Sequence, residues 1–201
     1  MQVKVVGYGS LLCAEGWNRT LERKIEQKDL EPVEVEGFVR TWSAGAPVVF
    51  EGEDTPSIAV FLDVTPVQGR NINAFALSLD EREFEMIRKR EKGYEMIDVT
   101  ERIPSAEPGS RYFMAMVADG KKMRKPCAEC FVPAAYEAFV KKCLARLSAD
   151  FARTFWRTTE PPSFRRKRAS TGLWMKRSTG IRADQDDCIG EREPSVWQSF
   201  S

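Results

Sequence analysis

Val3-Lys4-Val5-Val6-Gly7-Tyr8-Gly9-Ser10-Leu11-Leu12 is the stretch from which both a shape and a use can be read. Its β-branched residues make Val3 to Val6 a strand, and Gly7 and Gly9 break that strand at a turn rich in main-chain N–H groups. Such a turn is a cradle for negative charge. Gly9 lets a ligand oxygen sit close against the main chain, Ser10 supplies a hydroxyl, and Tyr8 supplies a flat wall with a polar tip. Two better-known glycine loops do not fit. A dinucleotide fingerprint places a third small residue where this chain has Leu12, and a phosphate loop needs a Lys-Ser or Lys-Thr pair that does not follow. The plain alternative is a tight turn after an N-terminal strand, with no ligand.

Outward from this loop, 201 residues with 42% apolar content suit one domain with an appendage. No apolar run has the length of a membrane helix, and Met1-Gln2-Val3-Lys4 enters a strand without a signal-peptide pattern, so a soluble, cytoplasmic protein is expected. The five cysteines, Cys13, Cys127, Cys130, Cys143 and Cys188, are odd in number and irregularly spaced. That pattern predicts reduced thiols in a reducing compartment, including at Cys127-Ala128-Glu129-Cys130, where zinc or redox roles are the weaker alternatives. The chain contains no histidine. Ser-His and Cys-His nucleophiles and histidine-based zinc sites are thereby excluded, and acid-base chemistry falls to carboxylates, Lys, Tyr or Cys.

Trp17, Leu21 and Ile25 recur every four residues and predict a short helix ending near Lys28. Strands are predicted at Glu34 to Trp42, Pro47 to Phe50, Ile58 to Val64 and Ile72 to Leu79, with turns at Gly52 to Pro56 and Gln68 to Asn71. Ser78-Leu79-Asp80-Glu81 has the form of a capping box, and a helix from Leu79 to about Glu91 would stop at Gly93. Phe84, Ile87 and Glu91 then share one face. A carboxylate on the core-facing stripe, in the last turn where the helix dipole disfavours it, acquires a raised pKa and suits a general base. The bland alternative leaves Glu91 solvated within Arg88-Lys89-Arg90-Glu91-Lys92.

Further strands are expected at Tyr94 to Ile103 and Arg111 to Ala118, and one long helix from about Pro133 to Trp156, whose aromatic stripe including Tyr136 reads as core. Beyond Pro162 the periodicity fades. Residues 151–182 carry nine basic side chains against one acidic, and an acidic end follows. The cluster Arg165-Arg166-Lys167-Arg168 reads as part of a disordered, solvated tail, with contact to nucleic acid or an acidic surface as the alternative. The expected division is a domain over 1–160 and a tail over 161–201.

Tyr8-Gly9-Ser10-Leu11 after an N-terminal strand and Arg90-Glu91-Lys92-Gly93-Tyr94 at a helix-to-strand junction together resemble the γ-glutamylcyclotransferase-like family, over roughly residues 3 to 157. The resemblance implies an α+β fold, a small mixed β-barrel with flanking helices. It implies a cofactor-free enzyme that closes the γ-glutamyl group of a γ-glutamyl amine or amino acid to 5-oxoproline and releases the amine. Glu91 would be the general acid-base. Tyr8, Gly9, Ser10 and Leu11, with Tyr94, would hold the glutamyl group. The glutathione-specific branch carries an Asp-His-Arg-Gly-type segment, which has no counterpart here. The pocket for the leaving amine is expected in the loops between Ser43 and Thr55 and between Ser105 and Pro126. A non-catalytic binding or interaction module on the same fold is the rival expectation.

Overall fold

The two longest strands, β2 (Glu31–Val48) and β3 (Ser57–Leu79), form an antiparallel pair that carries the sheet. Their sequences alternate or run apolar, and their buried residues lie on both sheet faces, which explains why neither reads as one simple period. The computed structural model describes residues 1–48, 57–123 and 125–167. Phe50 and the predicted turn at Gly52 to Pro56 lie outside them.

β1 (Gln2–Gly7) lies between the C-terminal half of β3, antiparallel, and β5 (Ser110–Met116), parallel. β4 (Glu95–Asp98) adds to the outer side of β5. On the other flank, the N-terminal end of β3 pairs with β6 (Cys130–Pro133), which pairs with β7 (Arg165–Lys167). The result is a seven-stranded mixed sheet with helices beside it, an α+β fold as expected. One apolar cluster gathers Val5, Leu77, Phe131 and the helices, and a second gathers Val6, Val64, Ala76 and Met114 on the opposite side.

Several local expectations change. The two strands predicted at Ile58 to Val64 and Ile72 to Leu79 are parts of β3. The predicted turn survives as a break in pairing: the ladder passes from Glu36↔Asn71 to Phe38↔Pro66, so Val67 to Arg70 bulge out of it, with Gly69 at φ +74°. Trp17, Leu21 and Ile25 do not share a helix. α1 (Ala14–Trp17) is one turn, and the Asn18 side chain bonds both N–H and C=O of Ile25, holding an irregular loop that buries the same three residues. The predicted long helix is two, α3 (Ala134–Leu144) and α4 (Ala149–Arg157), because Ser148 caps the second by accepting from the Phe151 N–H.

The expectation of reduced thiols is overturned for four of the five cysteines, Cys188 lying outside the described residues. Cys13 pairs with Cys143, and Cys127 pairs with Cys130. The first bridge joins positions 130 residues apart, a proximity that only the fold creates. With the thiols paired, cysteine spacing no longer supports a reducing compartment. No described helix is long and apolar enough to cross a membrane.

The sheet also continues past the boundary expected at residue 160. Phe164 is buried, β7 adds to β6, and Arg166 forms a two-point pair with Glu137, at 2.6 and 3.2 Å. Three residues of the basic cluster thus belong to the fold. Arg168 and all that follows lie outside the described residues.

Candidate active site

α2 (Glu81–Arg90) brings the second motif to the first. Its cap is Asp80 rather than Ser78: Asp80 Oδ1 accepts from the Glu83 N–H at 2.7 Å, and Glu83 returns the bond to the Asp80 N–H. The frame shifts by two because Ser78 and Leu79 still pair with Lys4 and Val3 in the sheet, so the helix begins only where that ladder ends. Ile87 is buried and anchors the helix, and its carbonyl accepts from the N–H of Glu91, the C-cap residue. The Tyr94 N–H then closes on the Glu91 carbonyl at 2.9 Å, and Gly93, at φ +105°, turns the chain toward β4.

This geometry buries Glu91, leaving it 7% exposed. Burial raises its pKa above the ordinary carboxylate value, and the neighbouring Arg90 guanidinium, 2.9 Å from Glu91 Oε1, opposes that rise. Arg90 also donates to Ser10 Oγ at 2.8 Å. One guanidinium therefore joins the glycine loop to the buried carboxylate.

The loop itself is held tightly. Leu12 N–H bonds the Gly9 carbonyl at 3.0 Å, and the buried Tyr8 hydroxyl donates to the Ala115 carbonyl of β5 at 2.6 Å. A Cβ on Gly7 would stand 2.2 Å from the Leu11 carbonyl oxygen, and one on Gly9 would stand 2.8 Å from the Tyr136 hydroxyl. Both glycines are required by close approach rather than by a left-handed backbone. Among the described residues, no hydrogen bond engages the main-chain N–H groups of Gly9, Ser10 and Leu11. Directly behind the loop, the Cys13–Cys143 bridge ties its exit to α3.

Tyr8, Gly9, Ser10, Leu11, Glu91 and Tyr94, all singled out in the sequence, line one hollow of about 30 Å³. Tyr136 of α3 lines it too, and it was read from the sequence as core. It is buried, packs edge-on against Phe61 and Trp42, and presents its hydroxyl to Gly9, with burial raising its pKa. Its helical spacing is that of any packing residue, so no local signal marks it. A second network that sequence reading missed lies close by. Asp63 Oδ2 accepts from Lys122 Nζ at 2.6 Å and from Ser43 Oγ at 3.0 Å, while Oδ1 accepts from the Val117 N–H at 3.0 Å. Asp63 and Lys122 are both buried, and Asp63 adds to the burial that holds the Tyr8 pKa well above its usual value.

The mixed seven-stranded sheet with helices beside it has the γ-glutamylcyclotransferase-like fold. The chain is similar to a solved structure named gamma-glutamyl cyclotransferase, with a TM-score of 0.52 at 10% identity, covering 83% of this chain and 93% of that one. It is also similar to an uncharacterized protein from Homo sapiens, with a TM-score of 0.49, 11% identity, and 83% and 92% of the two chains covered. A gamma-glutamyl cyclotransferase specific to glutathione from yeast aligns at 12% identity with a TM-score of 0.46, covering 78% and 95%. At these identities the first likeness establishes the fold alone. No family model and no curated protein matches the sequence.

Proposed function

We propose that the protein is a γ-glutamylcyclotransferase-like enzyme that converts γ-glutamyl amines or amino acids to 5-oxoproline and the free amine. The observation that carries this proposal is the buried Glu91 carboxylate, held by Arg90 against a loop whose N–H groups are unengaged. The fold likeness supports it.

The chemistry needs no water or cofactor. The α-amine nitrogen of the glutamyl group attacks its own γ-carbonyl carbon, forming the ring C–N bond, and the bond from that carbon to the departing nitrogen breaks. Folding the chain for this intramolecular attack supplies much of the acceleration. A free α-amine with pKa near ~8 is mostly protonated at neutral pH, so a base must take a proton from it. Glu91, its pKa lifted by burial, takes the ammonium proton and passes it to solvent, then takes the second proton that this nitrogen sheds as the ring closes and delivers it to the departing nitrogen. The N–H groups of Gly9, Ser10 and Leu11 receive the glutamyl α-carboxylate, with Tyr8, Tyr94 and Tyr136 as walls.

At about 30 Å³ the hollow has room for little more than a water molecule. A glutamyl chain therefore needs the hollow to widen on binding, and Arg90, bonded to Ser10 Oγ beside it, supplies a cation near the incoming carboxylate. The test is 5-oxoproline release from a panel of γ-glutamyl amines, γ-glutamyl amino acids and glutathione. Turnover of any member supports the proposal, and no turnover across the panel by folded protein overturns it.

A further inference from the structure

Next to the small hollow lies a groove of about 860 Å³, a size common for sites that take small molecules. Glu91 and Tyr94 line both, so the groove begins where the reacting carbon would sit. Of the two stretches expected to hold the leaving amine, the one between Ser105 and Pro126 contributes Phe113. The groove lies against the exposed side of α2, β4 and the middle of β5, and part of the stretch between Ser43 and Thr55 is outside the described residues.

The walls and rim of the groove differ in chemistry. Phe84, Tyr94, Met96 and Phe113 form part-buried apolar walls, and the Phe84 and Phe113 ring centroids are 5.3 Å apart. Arg88, Lys89 and Lys92 stand along the rim. Glu85 is the one rim carboxylate among the described lining residues, and Arg88 already engages it at 2.6 Å. Lys89 makes no ion pair among the described residues.

Building on the proposed reaction, we infer that this groove is the subsite for the leaving amine, and that it selects an amino acid with an apolar side chain over an alkylamine or a polyamine. The apolar walls take the side chain. The cationic rim attracts the leaving group's carboxylate and repels a second positive charge.

Three substrates separate the possibilities: γ-glutamyl-phenylalanine, γ-glutamyl-phenethylamine, which has the same ring without the carboxylate, and γ-glutamyl-putrescine. The phenylalanine compound should exceed the phenethylamine compound by about fivefold in kcat/KM, as a partly exposed charge pair allows, and putrescine should be poorest. Lys89→Glu should bring the ratio of the first two close to one, through KM for the phenylalanine compound rather than through kcat. Equal or better use of phenethylamine or putrescine by the wild type, or an unchanged ratio in the variant, overturns the subsite while leaving the reaction standing. Wild-type protein that is folded yet turns over none of the three overturns the reaction, and the subsite with it.

Discussion

Ser10 and Arg90 are separated by 80 positions in the chain and meet in space, with Arg90 Nη2 donating to Ser10 Oγ at 2.8 Å. Because the same guanidinium holds Glu91 Oε1, the loop and the carboxylate keep a fixed relation even without substrate. Arg90→Ala should therefore weaken substrate binding, with a KM increase of about tenfold, in keeping with the loss of a charge-assisted hydrogen bond. Arg90→Lys should recover only part of it, because an ammonium cannot hold two partners in the fork of a guanidinium. Steady-state kinetics on the two variants checks this, and an unchanged KM in both would contradict it.

The pH dependence of stability follows from Glu91. Its pKa in the folded chain is raised above the ordinary 4.5, so the folded state holds a proton that the unfolded state has released. Stability accordingly falls as pH rises from about 4.5 through the raised value. Glu91→Gln removes this loss, and the variant should melt at a higher temperature than the wild type at pH 7. Thermal melts of both proteins between pH 4 and pH 8 read the difference directly. The activity should show the complementary trend, with kcat/KM climbing on the acid side at a pH above the usual carboxylate range as Glu91 becomes a base.

Gly7 and Gly9 differ in what a methyl group would strike. On Gly7 the clash is with main chain, the Leu11 carbonyl oxygen at 2.2 Å, so the loop itself must move. On Gly9 it is with the Tyr136 hydroxyl at 2.8 Å. Gly7→Ala should cost about 3 kcal/mol of stability, and Gly9→Ala about 1 kcal/mol, with a larger share of its effect on substrate binding. Denaturant unfolding separates the two, and equal stabilities would contradict the packing described.

Asp63 and Lys122 form a buried pair with side-chain exposures of 0% and 3%. Asp63→Asn would leave the lysine charged without a carboxylate in the interior, so a loss of about 3 kcal/mol is expected. Restoration by a second change, Lys122→Met, would show that the unpaired charge and not a packing defect is the cause.

The loop at Gly7 to Leu12 and the glutamate at position 91 were legible because each rests on local chemistry: a strand broken by glycines, and a carboxylate on the same helical stripe as Phe84 and Ile87. The structure brings both to one hollow. What stayed hidden depends on distant partners. The Ser78 cap fails because the sheet already engages that segment, and the long helix divides at Ser148, whose cap outweighs an unbroken apolar period. Tyr136 reaches the site only because α3 packs across β3, and the Cys13–Cys143 bridge likewise needs the fold before the thiols can meet. Arg40 is the extreme case. A charged residue within an alternating strand, it lies fully buried over the Phe155 ring at 4.0 Å, with Nη1 donating to Thr158 Oγ1 at 2.7 Å, and burial lowers its pKa to about 9.

The most direct measurement is 5-oxoproline release by wild-type and Glu91→Gln proteins side by side, with circular dichroism confirming that both are folded. Loss of the acid-base group should lower kcat by about a hundredfold or more while the variant still binds substrate. A Glu91→Gln protein that releases 5-oxoproline at the wild-type rate would contradict the role given to Glu91 and the reaction proposed around it.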